Sequence, residues 1–364
     1  MPQVESESRP VEHSRVRTFC TRLLVAAGLR AADADTVARS LVEANLRGID
    51  SHGVARLPHY LNRIKHGSIK PQPQIQFKQF GPSVGLVDGD HGLGQLVMSR
   101  ATAEAITLAR TTGAGWVSVR NSSHCGALAF YGLPIAEAGM IGFTFTHVES
   151  IVLPFGSRQP FCGTTPICIT APGDDGHTLC LDMATSKVPW NTIVNAAMEG
   201  VPIPSGWAVD ETGAETTDAK RAVSLLPFGE YKGSGLGLMI DVLCAMLGQA
   251  PYGPDLSSMY GDPTERRCLG GLVGAIDICR FVPLESFTAR VAELARRWNA
   301  LEPIEPGGRV LYPGEPEMIR RQERLREGIP VSLQLLKTFN ELAKAYDLDA
   351  ETVGTWDDGK IGQQ

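Results

Sequence analysis

Residues 52–63 gather side chains that can hold an anion and move a proton. His52, Arg56 and Tyr60 follow one another at i, i+4 and i+8, with His59 and Arg63 beside them. Val54, Leu57, Leu61 and Ile64 fall on the opposite side of a helix of 3.6-residue period. An imidazole, a guanidinium and a phenol in one row can grip a carboxylate through the guanidinium fork and pass a proton to a neighbouring oxygen near neutral pH. The same spacing also describes the solvated face of an amphipathic helix, and periodicity does not separate the two. Pro58 fits such a helix only near its start, where a missing N–H removes no helical bond.

A second imidazole, His124, follows Asn121-Ser122-Ser123, between a strand pattern at 116–120 and a helical pattern at 127–138. It therefore falls in a strand-to-helix loop, where the serines are candidates to cap the helix and the free N–H groups favour a phosphate or carboxylate. The loop Lys232-Gly233-Ser234-Gly235-Leu236-Gly237 invites a dinucleotide-binding reading but lacks the third glycine of Gly-x-Gly-x-x-Gly, as does 89–94. Lys232 can still hold a phosphate, or stand in solvent. There is no His-Glu-x-x-His, no Cys/His quartet of zinc spacing and no Gly-x-Ser-x-Gly elbow, so neither a metal site nor a serine nucleophile is expected.

The elements that must position these residues show as periodic segments. Helical patterns cover 16–27, 34–47 and 54–65, and a further helix at 97–110 is flanked by strands at 84–88 and 116–120. The helix at 127–138 leads to a strand at 141–146, and strands follow at 166–171 and 178–182. Residues 199–220 are polar and rich in glycine and proline, and read as surface connections. The glycine loop opens an apolar helix reaching 247. A strand at 271–278, a helix at 284–299 and two helices after Tyr312-Pro313-Gly314-Glu315 complete the chain.

At about 150 residues per domain, 364 residues give one large domain or two coupled ones. With 39 glycines and 24 prolines, turns are frequent, which excludes long coiled coils and favours a mixed α/β architecture. Hydrophobic residues at 43% and charged residues at 20% exclude a disordered chain. A net charge of -6 argues against nucleic-acid or anionic-membrane partners, and the one arginine-rich run, 320–326, alternates with acids as a solvated helix does. The first eight residues carry acids where a signal peptide has a basic region, and no apolar run reaches the ~20 residues of a membrane span. Eight cysteines without a Cys-x-x-Cys pair, mostly in apolar surroundings, are expected to be buried reduced thiols, and the chain is expected in the cytoplasm.

Leu46-Arg47-Gly48-Ile49-Asp50-Ser51-His52-Gly53-Val54-Ala55-Arg56-Leu57-Pro58, Asn121-Ser122-Ser123-His124, Asp182-Met183-Ala184-Thr185-Ser186, Leu226-Pro227-Phe228-Gly229 with Lys232-Gly233, and Tyr312-Pro313-Gly314-Glu315 occur in this order. Together they resemble the type II malate/L-lactate dehydrogenases, relatives of ureidoglycolate and sulfolactate dehydrogenases, 2,3-diketo-L-gulonate reductase and cyclic ketimine reductases, over about 15–335. Each motif alone is weak, and the ordered set is specific.

The resemblance implies an α/β fold whose NAD(P)-binding part is not of Rossmann type, with a mixed sheet flanked by helices. It implies residues 1–115 and 285–364 as a substrate and dimerisation domain and 116–284 as a cofactor-binding domain, with the active site in a cleft between domains of a homodimer. NAD or NADP is the implied cofactor, and a small carboxylate the substrate. His52 and His124 become candidates for the acid/base, and Asp182 for orienting the catalytic histidine or the nicotinamide end. Ser51, Arg56 and Tyr60 become substrate-binding candidates. Val148, Pro154, Phe155, Gly156, Asp182, Met183, Ala184, Lys232, Gly233, Gly314 and Glu315 become cofactor-binding candidates. Two segments depart from the family pattern. A Thr-Asn-Ser segment is Thr146-His147-Val148 here, and Gly-Thr-Asn-Pro is Gly163-Thr164-Thr165-Pro166, which makes His147 and Thr165 candidates for substrate contact in place of two amides. The implied reaction is reversible hydride transfer between nicotinamide and C2 of a small 2-hydroxy or 2-oxo acid. The alternatives are reduction of a cyclic ketimine, or a family member that binds the cofactor without turnover.

Overall fold

The structure is a computed structural model that describes residues 8–348; the acidic N-terminal run read above lies largely outside them. In chain order the principal elements are β1 (Ser8–Val11), α1 (His13–Ala26), α2 (Ala31–Leu46), α3 (Leu57–Lys65), β2 (Gln76–Gly81), β3 (Val84–Asp88), α4 (Gly94–Thr112), β4 (Ala114–Ser122), α5 (Ala129–Glu137) and β5 (Met140–Thr146). They continue with β6 (Ile167–Ala171), β7 (Leu179–Met183), α6 (Trp190–Glu199), β8 (Ala208–Val209), β9 (Glu215–Thr216), β10 (Ser224–Leu225), α7 (Tyr231–Asp241), β11 (Leu269–Asp277), α8 (Leu284–Asn299), α9 (Glu315–Glu327), β12 (Ile329–Ser332) and α10 (Leu333–Ala345).

The described residues form two compact units, one of residues 8–72 with 317–348 and one of residues 73–316. The sequence reading placed these boundaries at 115/116 and 284/285. They move because β3 pairs with β4 and α4 packs on the sheet, so residues 73–115 belong with the strands that follow them.

In the helical unit the antiparallel pair β1–β12 joins the two chain segments. Helix α1 starts at Glu12, whose carboxylate accepts from the Arg15 N–H, and buries Val16, Phe19, Cys20, Leu23 and Leu24. Phe19 packs on Phe339 of α10 at 4.8 Å between ring centroids.

The sheet unit is built on seven strands in the order β2-β3-β4-β11-β5-β6-β7. Only β3 and β4 are parallel neighbours; β11 lies antiparallel between β4 and β5. The strand-helix-strand unit β4-α5-β5 expected from the sequence is thus present, with a strand from far along the chain inserted into it. Such a mixed sheet cannot be the parallel Rossmann arrangement, in agreement with the missing third glycine. Val117, Val119, Val273 and Ala275 point to one side of the sheet and meet Val97, Met98, Ala101, Ala105 and Leu108 of α4 and Tyr131 and Ile135 of α5. Phe145 and Leu272 point to the other side and meet Ile240 of α7 and Cys244. Each such fully buried side chain contributes about 1.5–3 kcal/mol, so α4, which buries many more of them than α7, is held on the sheet the more firmly. Residues 199–220, expected as surface connections, instead belong to a small lobe with its own core. Helix α6 and the sheet β10-β8-β9 there enclose Ile193, Ile203, Ala208 and Leu225. Among the described residues no helix is long and apolar enough to cross a membrane.

Candidate active site

In the helical unit, Ser51 and His52 sit in a 3-10 turn, Asp50–His52, and Val54–Arg56 forms a second one before α3 begins at Leu57 with Pro58 in its first turn. A 3-10 turn has three residues per turn rather than 3.6, and Gly53 between the two turns is extended, so the single helical row expected for His52, Arg56 and Tyr60 is broken between His52 and Arg56. His52 and Arg56 remain together on partly exposed backbone, while Tyr60 and Arg63, expected on the polar face, are buried. The Ser51 hydroxyl lies 2.9 Å from His52 Nδ1, and Arg56 Nε donates to the Ser51 carbonyl at 2.6 Å. Burial and the Arg56 guanidinium push the His52 imidazole down to about 4.

What holds this turn lies outside the motif. Asn45 of α2 accepts from the Val54 N–H at 2.8 Å and donates to Asp50 at 2.5 Å. Arg324 of α9 grips both Asp50 oxygens, at 2.7 and 2.9 Å, and also donates to the Asn45 carbonyl. Gly53 is required by this arrangement, because a Cβ there would stand 2.1 Å from Asn45 Oδ1. The arginine-rich run read as a solvated helix is therefore anchored: Arg321 pairs with Glu43 and the Arg324 side chain is only 14% exposed. Asn45 in the apolar α2 pattern was the available signal for this role, and sequence reading passed over it.

In the sheet unit, β4 ends at Ser122 and the next residues carry His124. Asn121, at φ +50°, turns the chain and donates to Asp88, which also accepts from Arg120 at 2.9 Å. The serine pair does not cap the following helix. Ser123 Oγ accepts from the Gly94 N–H at 3.0 Å and donates to the Gly92 carbonyl, so it caps α4 instead. The start of α5 is met by Asp182 of β7, whose Oδ2 accepts from the Ala129 N–H at 2.8 Å. The anion expected at that helix end is thus supplied by the protein itself. Burial, with the Asp182 charge added, pushes the neighbouring Cys125 thiol up to about 12, so it is no nucleophile.

A groove of about 200 Å³ opens in the same unit between the segment 152–154, Phe161–Gly163, Thr185 and the face of α7 carrying Gly233, Ser234, Gly237 and Leu238. Of the cofactor-binding candidates, Pro154 and Gly233 line it, and the Phe155 N–H donates to Ser234 at its edge. Met183 and Ala184 lead into Thr185, the Val148 carbonyl backs Gly163, and Gly156 and Lys232 stand exposed nearby in sequence. None of the lining side chains is charged. Such a slot has the apolar lining that a flat ring needs, with Lys232 as the nearest cation in sequence for a phosphate.

Four candidates are committed to other partners. His147 has no exposed surface: its Nδ1–H donates to Asp241 at 2.8 Å and its Nε2 accepts from the Gly270 N–H at 2.8 Å, leaving no atom to meet a substrate. Thr165, also fully buried, shares a 2.6 Å hydroxyl bond with Thr185 behind the groove. Glu315 accepts from Asn299, Arg309 and the Tyr312 N–H, and Gly314, at φ +94°, is pressed against Cys180. These contacts pin the Tyr312-Pro313-Gly314-Glu315 turn to β7. All eight cysteines are free and six are buried, as their apolar surroundings implied. Among the described residues no group of three His, Cys, Asp or Glu side chains could hold a metal ion.

Comparison with known proteins defines the class. The family model for malate/L-lactate dehydrogenase matches residues 11–340. Malate dehydrogenase of Pyrococcus horikoshii is 37% identical over 93% of this chain and 96% of its own, and the NAD(+) ureidoglycolate dehydrogenase of Escherichia coli O157:H7 is 35% identical over 85% and 88%. An NADP(+)-dependent (2R)-3-sulfolactate dehydrogenase of Chromohalobacter salexigens is 33% identical over 75% and 83%. Among solved structures, sulfolactate dehydrogenase from Methanocaldococcus jannaschii superposes with a TM-score of 0.88 at 34% identity, covering 94% of this chain and 98% of that one. Delta1-piperideine-2-carboxylate reductase from Pseudomonas syringae pvar. tomato does so at 0.84 and 28% identity, covering 92% and 100%. The chain belongs to the malate/L-lactate dehydrogenase family. It is an NAD(P)-dependent oxidoreductase of that family.

Proposed function

We propose that the protein transfers a hydride reversibly between a nicotinamide dinucleotide and C2 of a small 2-hydroxy or 2-oxo acid. The observation that carries this reading is the turn in which Ser51 meets both His52 Nδ1 and the Arg56 guanidinium, with the imidazole pushed below its ordinary value by burial and that guanidinium. In the oxidative direction the hydroxyl proton passes to a histidine while the hydride leaves C2, so the alcohol loses two electrons and two protons, one of them carried within the hydride. The bound dinucleotide supplies the hydride acceptor. Arg56 takes the substrate carboxylate through its fork, which fixes C2 and offsets part of the positive charge that depresses His52. Ser51 holds the imidazole by Nδ1 and so fixes its orientation. His124 is the second acid/base candidate, with Asp182 fixing the helix start behind its loop.

A second reading has the same hydride reach the C=N carbon of a cyclic imine beside a carboxylate, as the name of the Pseudomonas syringae neighbour implies for that protein. Both substrates present a carboxylate next to an sp² carbon, so the same arginine serves either. The reading also includes a cytoplasmic homodimer, with a second copy covering the apolar residues that α7 and its continuation leave exposed: Tyr231, Leu238, Met239, Val242, Met246 and Leu247. The helical unit then serves the substrate, and the sheet unit the dinucleotide and, through α7, the contact with the second copy.

The test follows nicotinamide absorbance with NADH and NADPH in turn, against pyruvate, oxaloacetate, branched 2-oxo acids and the cyclic imines of lysine and proline breakdown. Turnover of an open-chain 2-oxo acid supports the main reading. Turnover of imines alone moves the protein to the second. Light scattering in the same buffer reports whether it is a dimer.

A further inference from the structure

His147 was expected to face a substrate, and its burial leaves a full imidazole–carboxylate pair with no part in the proposed reaction. We propose that the His147–Asp241 pair is a positioning element for the nucleotide groove, fixing where α7 stands against the sheet. This rests on the reading of that groove as the dinucleotide site.

Three elements meet at the imidazole. His147 directly follows β5, Asp241 is the last residue of α7, and Gly270 lies in β11 at the centre of the sheet. Asp241 stands one helical turn beyond Gly237, on the same face of α7. A Cβ on Gly237 would meet the Thr165 and Thr185 hydroxyls at 2.9 and 3.1 Å, so the helix touches the groove floor there without slack. Directly after Asp241 the chain makes a π turn, Val242–Met246. Its i+5 bonds interrupt the regular ladder, so the register of this helix end depends on side-chain anchors. Cys162, which lines the groove, is pushed up to about 11 by burial and by the Asp241 charge, so that carboxylate is felt at the groove wall. An imidazole can donate and accept on opposite sides of its ring. The shorter amide of the family pattern carries donor and acceptor on one carbon and cannot span the same gap.

The experiment compares His147→Asn, the near-isosteric Asp241→Asn and their double variant, with Thr170→Val as a control that loses a buried hydroxyl bond away from α7. NADH binding is measured by its fluorescence well below each melting temperature, beside KM for the nucleotide and kcat. Loss of a charge-assisted buried bond predicts a Kd and KM raised about tenfold in each single variant, with kcat within about twofold. The double variant should be little worse than either single one, because both break one connection. The control should bind as the wild type does. An unchanged Kd in Asp241→Asn overturns the proposal, as do independent losses that multiply in the double variant; Asp241→Asn decides should His147→Asn not fold. Wild-type protein that binds neither NADH nor NADPH overturns the assignment of the groove itself.

Discussion

The two histidine loops are held by different forces. The His52 turn is clamped by charge: Asp50 is gripped by Arg324, Asn45 bridges them, and Arg56 lies over the Ser51 carbonyl. The His124 loop is held by neutral bonds to Ser123 and by two carboxylates: Asp88, which takes Asn121 and Arg120 at the strand end, and Asp182, facing a helix start. A loop set among guanidinium groups has its imidazole tuned by them, whereas a loop set by hydroxyls and backbone has its position fixed. The first arrangement suits a proton carrier whose affinity changes when an anionic substrate arrives, and the second suits an orienting group.

The comparison is broken most directly at the imidazoles. His52→Ala should lower kcat by about 10²–10⁴, the usual weight of a general acid or base, and His124→Ala should lower it less. The reverse order in steady-state kinetics would exchange their roles, and wild-type rates in both would remove acid/base work from either loop. Arg56→Lys should raise KM for a 2-oxo acid about 10–100-fold, since a point charge cannot reproduce the planar fork; an unchanged KM would take Arg56 out of the site. Asp182→Asn keeps the cap acceptor but loses the charge, and should cost about 1 kcal/mol in urea unfolding. Arg324→Gln frees one end of the Asp50 clamp. With Asp50 half exposed it should cost only about 1 kcal/mol in stability, and its larger trace should be a lowered kcat through a loosened His52.

A separate effect is on pH. His52 is depressed in the folded chain, so between its ordinary value and about 4 the unfolded chain binds a proton that the folded chain does not. Its contribution to stability should therefore be full at neutral pH, fall as pH drops through that window and be flat below it. Denaturation midpoints of wild type and His52→Asn should converge on acidification. If the two midpoints stay parallel, the imidazole is not depressed.

How much was legible depends on the separation of the partners along the chain. The 84–88 strand, the β4-α5-β5 unit and the 284–299 helix followed from periodicity, because each is set by its own apolar spacing. Strand β1 was missed, since an exposed four-residue strand has little pattern and needs β12 to exist. Helix α6 was missed as well. The row of His52, Arg56 and Tyr60 failed because Gly53 is extended between two 3-10 turns, an interruption set by the close approach of Asn45 from α2 and not by local periodicity.

The sequence by itself determined the family, the presence of His52 beside Arg56, and the thiol state of the cysteines. The family rests on the resemblance of an ordered set of motifs along the chain, and the other two on residue type and short spacing. Only the tertiary structure decided that Arg324 clamps Asp50 from 274 residues away, that Asp182 caps α5, and that His147 turns inward to Asp241, 94 residues on. A charged or polar side chain must find a partner once buried, and which partner it finds is fixed by the packing of distant segments rather than by its neighbours in the chain.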